Sequence, residues 1–382
     1  MKVKNTDKSL INLRRKLHSH PDLSWYEQKT AGEIFDFLSL YEPDDIITEI
    51  AGTGLAAVYN GKRGGPTLLV RCELDALPID EINDVSYRSV NPGCSHKCGH
   101  DGHMTIIAGL AAILSSSRPN RGKVVLLFQP AEERGEGAAR VIEDKKFNRI
   151  KPDYTFSLHN LPGFDLNSIV LSNGIFASAS SGMAVELSGK TSHAAEPERG
   201  KSPALAMADI VKNITLMPSK ETDYKDFVLS TVVFAKLGEI ALGTSPGYAK
   251  IITTLRAFRE DDMKLLSSRS MKLAENTCGE YGIDIKIDWM EEFPSTVNDP
   301  GCVKILSEAA SLNGFNTVLI DEPFRWSEDF GHFTKLCPGA MFGIGAGRNH
   351  PRLHNPDYDF PEEIIPTGIK MFSEIINLIL SR

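Results

Sequence analysis

The stretch "KCGHDGHMT" at residues 97–105 concentrates metal-binding side chains in a chain that has only 6 cysteines and 10 histidines among 382 residues. Cys98, His100 and His103 supply a thiol and two imidazoles, and Asp101 supplies a carboxylate. Thiolate, imidazole and carboxylate together are a ligand set for zinc or a neighbouring first-row metal. A spacing of two places Cys98 and His100 on the same side of an extended turn, which favours binding of both to one metal.

Three interpretations of this stretch remain open at this point. A structural zinc site would use Cys94, Cys98, His100 and His103 as four closed ligands, although their spacing is unusual for a zinc finger. A nucleophilic thiol at Cys98 would be activated by His100 or His103. A catalytic metal centre would need further ligands from distant parts of the chain.

Further candidate ligands follow two predicted strands. The apolar run at 123–128 leads directly into "QPAEE", which carries Glu132 and Glu133, and the run at 154–158 leads into His159. Ligands of open α/β sheets collect beyond the carboxyl ends of the strands. The position of these side chains therefore favours a catalytic metal centre.

The adjacent carboxylates and the C-terminal histidines complete the candidate set. In an extended segment neighbouring side chains point to opposite sides, so one of Glu132 and Glu133 is expected to bind metal while the other faces a water. A general base needs a pKa near the operating pH, and partial burial beside another acid can raise the pKa of a carboxylate in that direction. Near the C-terminus, "NHPRLHNPDYDF" adds His350 and His354.

The elements that must position these residues alternate between helices and short apolar strands. Helical periodicity predicts helices at 7–18, 28–41, 102–116, 299–313 and 362–380. Apolar β-rich runs predict strands at 55–59, 67–72, 123–128, 154–158 and 340–344. This alternation predicts an α/β fold with a mostly parallel central sheet flanked by helices, and Asp101 is predicted to cap the third helix.

The pattern changes between about 175 and 292. Strands and helices there follow the order β-α-β-β-α-β, which is typical of a ferredoxin-like α+β domain. We therefore expect a catalytic domain formed by 1–174 and 293–382, and an inserted lid or dimerisation domain formed by 175–292. The alternative is that the insertion extends the main sheet.

The bulk composition excludes several classes of protein. A formal net charge of −8 argues against nucleic acid or an anionic membrane as a partner. The apolar run at 375–380 is too short to span a bilayer, and the N-terminal residues contain no signal-peptide pattern. Six scattered cysteines do not form a dense disulfide framework, so a reduced, cytoplasmic protein is expected.

Seven motifs occur in the order found in one known family. They are "DALPI", "CGHDGH", "QPAEE", "LHN", "GKTSHAAEPERG", "SEDF" and "LHNPDYDF". The chain resembles the metal-dependent aminoacylase/carboxypeptidase family, in the branch of bacterial N-acyl-amino-acid amidohydrolases, hippurate hydrolases and auxin-conjugate hydrolases. The resemblance implies a zinc-exopeptidase-like catalytic domain with two metal ions, and a lid through which two copies form a homodimer.

The resemblance also implies a role for each residue of the centre. The metal ligands would be Cys98, His100, Glu133, His159 and His354. Cys98 would bridge the two metals, Glu133 and His354 would complete one, and His100 and His159 the other. Glu132 would be the general base and acid, and Asp75 would orient a ligand.

The lid would contribute two further residues. His193 would reach the active site of the other subunit and polarise the scissile carbonyl. Arg256 would bind the substrate carboxylate, or alternatively form a salt bridge at the end of its strand. The chain departs from the family where "GTSPG" places Gly243 at a position that relatives fill with asparagine, so its leaving-group preference stays open.

The implied reaction is hydrolysis of the amide bond of an N-acyl amino acid, or a related N-acyl amine, by a metal-activated water with Glu132 as base. A metallo-dipeptidase or aminopeptidase on the same scaffold is the alternative. A binding protein with a decayed site is disfavoured because the ligand set is intact. Zinc is the first choice of metal, with manganese, nickel and cobalt as the others.

Overall fold

The computed structural model describes residues 2–220 and 223–381, which form two compact units. The first unit lies within residues 1–176, 296–322 and 329–382, and the second within 177–295 and 323–328. These boundaries differ by two or three residues from the predicted domain limits. The segment 323–328 also returns to the second unit, which the sequence pattern did not indicate. The roles of catalytic domain and lid remain predictions.

Among the described residues, the first unit contains an eight-stranded sheet with the order β1-β2-β4-β3-β5-β16-β6-β15. Its strands are β1 (Asp45–Ile50), β2 (Gly54–Asn60), β3 (Thr67–Glu73), β4 (Lys123–Gln129), β5 (Tyr154–Pro162), β6 (Ile169–Leu171), β15 (Thr317–Leu319) and β16 (Gly339–Gly347). Strands β4, β3, β5 and β16 are parallel, whereas β1, β2 and β6 add antiparallel pairings. The prediction of a mostly parallel α/β sheet is confirmed, and the antiparallel strand β1 is an addition to it.

The central strands are buried over nearly their whole length because their side chains are apolar in both directions. Strand β3 is entirely buried, and β4 is buried except at its first residue. The helices of this unit are α1 (Lys2–Ser19), α2 (Gln28–Ser39), α3 (His100–Ser116), α4 (Gly137–Glu143), α7 (Pro300–Leu312), α8 (Gly331–Leu336) and α9 (Ile365–Leu380), with 3-10 turns at Lys145–Arg149 and Glu362–Ile364. Helix α3 packs between α1 and α9, and its apolar residues join those of the sheet in one core.

The second unit has the predicted ferredoxin-like order. Its elements are β8 (Ala179–Ser188), α5 (Ala204–Lys220), β10 (Val228–Leu237), β12 (Tyr248–Ala257), α6 (Glu260–Tyr281) and β13 (Asp284–Phe293). The four strands form an antiparallel sheet in the order β10-β12-β8-β13, and side chains of α5 and α6 share a core with its buried face. Four short strands complete the description: β7 (Ile175–Ala177), β9 (Ser192–His193), β11 (Thr244–Ser245) and β14 (Thr296–Val297), with a 3-10 turn at Pro197–Arg199.

Across residues 2–220 and 223–381, every helix is too short or too polar to cross a lipid bilayer.

Candidate metal centre

Three neighbouring parallel strands bring the predicted ligands to one edge of the sheet. Strand β3 ends two residues before Asp75, β4 ends shortly before Glu132 and Glu133, and β5 carries His159 near its end. Because β4, β3 and β5 are adjacent and parallel, their carboxyl ends meet at this edge. His159 lies inside β5, not after it as the sequence pattern suggested.

The turn before α3 depends on a glycine. Gly99 precedes the helix with a φ of +93°, in the left-handed region that favours glycine. A Cβ at this position would lie 2.7 Å from Oδ1 of Asn160, so a larger residue would displace the turn. The prediction that Asp101 caps the helix is wrong: α3 begins at His100, and Asp101 is a fully buried residue of its first turn.

The five predicted metal ligands come together in space. Sγ of Cys98 lies 3.5 Å from Nε2 of His159, and Nε2 of His354 lies 3.8 Å from Oε1 of Glu133. The ligand atoms of Cys98, His100 and His159 all lie within 4.8 Å of one another, and so do those of Cys98, Glu133 and His354. These two groups of three share the Cys98 sulfur.

The surroundings of His100 suit a cation. Its Nδ1 donates to the backbone carbonyl oxygen of Asp75 at 2.8 Å. Its buried Nε2 has no hydrogen-bond partner among the described residues, and it lies 3.9 and 3.8 Å from carboxylate oxygens of Glu132 and Glu133. Burial alone would lower the pKa of His100, but the nearby carboxylates, Asp75 foremost, raise it to about 10. A site with this surplus of negative charge fits a divalent ion.

The other two imidazoles are held in the neutral form that binds metals. Burial lowers the pKa of His159 to about 3, and its Nδ1 donates to the backbone carbonyl of Asn160 at 2.8 Å. The side chain of His354 is half exposed, and its partial burial, with a smaller effect of His100, lowers its pKa to about 4. The backbone of His354 is left-handed, with a φ of +64°, and its N–H donates to the carbonyl of Lys97 at 2.8 Å. This unusual backbone conformation is therefore fixed by the segment that carries Cys98.

Asp75 contacts two of the predicted ligands. Its Oδ2 accepts the backbone N–H of Glu133 at 3.0 Å and the hydroxyl of Ser24 at 2.7 Å. Its Oδ1 lies 3.5 Å from Nδ1 of His100. Burial opposes ionisation of Asp75, but the nearby His100, followed by the hydrogen bonds from Ser24 and Glu133, keeps its pKa below the usual value. Asp75 is thus an anion placed to orient both His100 and the backbone of Glu133.

The two adjacent glutamates lie in a tight turn, not in an extended segment. The N–H of Gly135 donates to the carbonyl of Glu132 at 2.7 Å, which closes the turn. As a result, both carboxylates approach the same Nε2 of His100, and the expectation that they point to opposite sides is wrong. Glu132 is nearly buried, and its Oε1 lies 3.4 Å from the backbone N–H of Asp329.

Glu27 holds the residue that starts this turn. Ala131 has a φ of +50°, which is unfavourable for a residue other than glycine. Oε1 of Glu27 accepts the N–H of Ala131 at 2.8 Å, and Oε2 accepts the hydroxyl of Thr53 at 2.7 Å. Burial, and then the charge of Asp75, raise the pKa of Glu27.

We expect Glu27→Ala to lower kcat by about tenfold, a loss typical of residues that orient the groups of a metal site. Without the acceptor, the strained backbone of Ala131 can relax and move Glu132. Glu27→Gln keeps an acceptor oxygen and should retain most of the activity. Steady-state kinetics and metal analysis of both variants test this, and equal kcat for Glu27→Ala and the wild type would contradict it.

A cluster of buried charged side chains near Glu132 was not predicted from the sequence. The guanidinium of Arg71 on β3 is fully buried and pairs with Glu73 and Asp329, and its Nε donates to Gln129 at 2.8 Å. Gln129 in turn donates to Oδ2 of Asp329 at 2.7 Å. The signal was present in the strand "TLLVRCE", where Arg71 and Glu73 interrupt an apolar run on one face. An arginine and a glutamate inside a buried strand require such partners.

The zinc-knuckle interpretation does not agree with the structure. Cys94 belongs to none of the groups of potential metal ligands found in residues 2–220 and 223–381, and its thiol donates to the carbonyl of Pro21 at 3.6 Å. His103 is bound through Nδ1 to Glu73 at 2.7 Å and through Nε2 to Oδ1 of Asn160 at 2.5 Å. Neither side chain closes a four-ligand site with Cys98.

The two predicted residues of the second unit lie on its sheet and loops. His193 is exposed and belongs to strand β9, which pairs with β11 so that His193 lies opposite Thr244. The carbonyl of Gly243 accepts the N–H of Ala194 at 2.9 Å, so the segment that departs from the family holds the histidine loop. A Cβ at Gly243 would meet no atom within 4 Å.

Arg256 lies near the end of β12. Its guanidinium donates to the carbonyl of Arg325 at 3.0 Å and to Oγ of Ser327 at 2.9 Å. No carboxylate within residues 2–220 and 223–381 pairs with it, so the alternative of a strand-end salt bridge is not realised there. Burial lowers the pKa of Arg256, and a buried cation of this kind can accept an anionic ligand.

Comparison with known proteins agrees with the motif resemblance. The sequence profile of "Peptidase family M20/M25/M40" matches residues 69–378. The chain belongs to this family. An N-acetylcysteine deacetylase of Bacillus subtilis is 28% identical over 97% of both chains, and an N-acetyldiaminopimelate deacetylase of Bacillus velezensis is 29% identical over 96% of this chain and 99% of its own.

Solved structures extend the likeness to the whole fold. A dinuclear metal-binding peptidase of the M20 family from Bacillus subtilis superposes with a TM-score of 0.82 at 26% identity, covering 99% of both chains. The predictions of the family and of an enzyme of the amidohydrolase class are confirmed.

Proposed function

We propose that this amidohydrolase removes the acyl group from N-acyl amino acids with two divalent metal ions. The observation that carries the proposal is the convergence of two groups of three ligands on the shared sulfur of Cys98. Relatives named as deacetylases of N-acetylated amino acids cover nearly the whole chain and support the substrate class. The dinuclear metal-binding relative supports the number of ions.

In this proposal each ion has its own ligands. Cys98 would be a ligand in both groups, with Glu133 and His354 in one and His100 and His159 in the other. The fit rests on the surplus negative charge at Nε2 of His100 and on the neutral imidazoles of His159 and His354. The mixed sulfur, nitrogen and oxygen donors favour zinc, with manganese, nickel and cobalt as alternatives that cellular supply can select.

Divalent ions held by these ligands supply Lewis acidity, which makes water a stronger acid and polarises an amide carbonyl. Glu132 takes the proton of the attacking water as the new C–O bond forms. It returns that proton to the nitrogen as the C–N bond breaks, so the amine leaves neutral. His193 of the partner subunit donates to the developing oxyanion, and Arg256 binds the carboxylate of the substrate.

A homodimer through the second unit is part of the proposal. Ile240 and Leu242 have exposed fractions of 103% and 99%, and Val233 and Phe234 are exposed on β10. Strand β10 is also the outer strand of its sheet, so its backbone can pair with a second copy. Exposed apolar side chains beside an open sheet edge are typical of a protein interface.

Two inactive variants should complement each other if His193 acts in the partner's site. We expect His193→Ala and Glu132→Gln to be inactive alone and to regain part of the activity when co-expressed, because one site of the mixed dimer then contains both side chains. Light scattering and kinetics on the doubly tagged heterodimer measure this. Full activity of a monomeric Val233→Lys variant would contradict it, and Leu312→Lys is the control at an exposed apolar residue of the first unit.

A substrate panel tests the proposed function. The metal-loaded enzyme is assayed on N-acetyl- and N-benzoyl-amino acids and on dipeptides with free amines. We expect turnover of the N-acylated substrates, and turnover of the dipeptides alone would instead support a dipeptidase or aminopeptidase. Absence of bound metal after purification and reconstitution would reject both enzymes.

The proposed location is the cytoplasm. None of the six cysteines forms a disulfide in the structure, and five of them are buried. A thiol that is required as a metal ligand agrees with a reducing compartment.

A further inference from the structure

A chain of buried charges connects helix α1 to both ends of the metal-binding turn. Its five side chains are at most 4% exposed. Two of them belong to α1, one to the loop that precedes the turn, and two flank Cys98 and His100. They are Arg14, His18, Glu81, Lys97 and Asp101. Charged side chains are almost never this buried unless each one is paired.

His18 lies at the centre of this chain. Its Nδ1 is 2.8 Å from Oδ2 of Asp101, and its Nε2 is 3.0 Å from Oε1 of Glu81. Ionised carboxylates only accept hydrogen bonds, so both ring nitrogens donate and the ring is an imidazolium. Burial lowers the pKa of His18, but the hydrogen bonds to Asp101 and Glu81 outweigh it and raise the pKa, in agreement with this geometry.

The two carboxylates continue to the residues that flank Cys98 and His100. Asp101 follows His100 directly and also pairs with Nε of Arg14 at 2.9 Å. Glu81 accepts from Nζ of Lys97 at 2.9 Å, and Lys97 directly precedes Cys98. His18 therefore connects Lys97, which precedes Cys98, with Asp101, which follows His100.

The same series of charged contacts extends to the segment that carries the proposed ligand His354. Nζ of Lys97 donates to the carbonyl of Tyr358 at 2.7 Å, and the carbonyl of Lys97 accepts the N–H of His354 at 2.8 Å. Lys97 thus fixes both the segment of Cys98 and the left-handed backbone of His354.

We propose that His18 is a positioning residue of the metal centre. It holds Asp101 directly and Lys97 through Glu81, and it thereby sets the spacing of Cys98 and His100. The proposal rests on the proposed function, because it assumes that Cys98 and His100 bind metal. Replacing a buried ionic chain by apolar residues often leaves a protein as stable or more so, which makes geometry a better reason for its presence than stability.

The test compares two variants of neighbouring residues in α1 that have different links to the turn. His18→Gln breaks the chain because an amide cannot donate to carboxylates on opposite sides. Leu17→Ala removes a buried apolar side chain of the same helix and leaves the chain intact. Both apo-proteins are titrated with cobalt(II) below their melting temperatures, and the thiolate-to-cobalt charge-transfer band reports ligation by Cys98.

We expect His18→Gln to weaken cobalt binding about tenfold and to shift the charge-transfer band, as loss of a residue that orients metal ligands does. Leu17→Ala should lower the melting temperature but keep the wild-type affinity and band. If both variants bind cobalt like the wild type, or lose affinity equally, His18 has only a structural role and the inference is overturned.

Glu81→Gln provides a second variant in case His18→Gln does not fold. It keeps the shape of the side chain and removes the charge between His18 and Lys97, so a weaker affinity with a shifted band is again expected. Wild-type binding by Glu81→Gln would count against the inference. If the wild-type protein itself shows no thiolate band, the proposed metal centre is rejected. If the wild type shows the band and the variants bind cobalt as it does, only the inference about His18 is rejected.

Discussion

Glu132→Gln is expected to lower kcat by ~10²–10⁴-fold, the contribution of a positioned general base, while the protein keeps its metal. The amide is nearly isosteric with the carboxylate, but it cannot take a proton from water at neutral pH. Glu132 is nearly buried and lies 3.9 Å from Nε2 of His100, so a neutral side chain fits the same space. KM should change far less than kcat because the substitution removes a proton acceptor and leaves the substrate-binding groups intact.

The matched control is Glu136→Gln in the same loop. Glu136 is partly exposed and pairs with Arg134 and Arg140, away from the ligand groups. Its substitution should leave both kinetics and metal content unchanged. Undiminished turnover by Glu132→Gln, or loss of metal together with activity, would reject the role of Glu132 as the base.

Cys98→Ser should weaken metal binding by about 100-fold or more, beyond the range for residues that only orient ligands. A serine hydroxyl does not ionise at neutral pH and is a harder donor than a thiolate. Since Cys98 is common to both ligand groups, its loss affects both sites together. Cobalt titration should show no thiolate charge-transfer band, and activity should fall at any metal concentration at which the wild type is saturated.

Cys94→Ser is the control that separates ligation from general damage. Both cysteines have an exposed fraction of 7% and lie four residues apart in the same loop. Cys94 donates to a backbone carbonyl, which a hydroxyl can also do. Retention of the band by Cys98→Ser and its loss from Cys94→Ser would reverse the ligand assignment.

The sequence predicted the strands and helices correctly wherever the local pattern of apolar residues determines them. The apolar run at 67–72 is strand β3, and the helix predicted at 299–313 is α7, which is one residue shorter at each end. The order of elements also predicted the ferredoxin-like unit, because its period-2 strands and longer helices differ clearly from the apolar strands of the main sheet.

Contacts between distant residues and local backbone strain leave no signal in the local sequence pattern. Arg71 pairs with Asp329 across 258 positions, and His18 contacts Asp101 across 83. The turn at Ala131 was missed because a left-handed alanine has no local signal, and that error reversed the expected directions of the two glutamates. The ligand residues were still found because their chemical types are rare and recur in family motifs.

Helix α1 has a practical consequence for work with this protein. The family profile begins only at residue 69, so a shortened version cut to the matched region would retain all five proposed ligands and Glu132. It would nevertheless lack helix α1, which packs on α3 and carries the Asp101 counter-ions Arg14 and His18, as well as strands β1 and β2 of the main sheet. Affinity tags and truncations near the amino terminus should therefore be checked for metal loading before any absence of activity is interpreted.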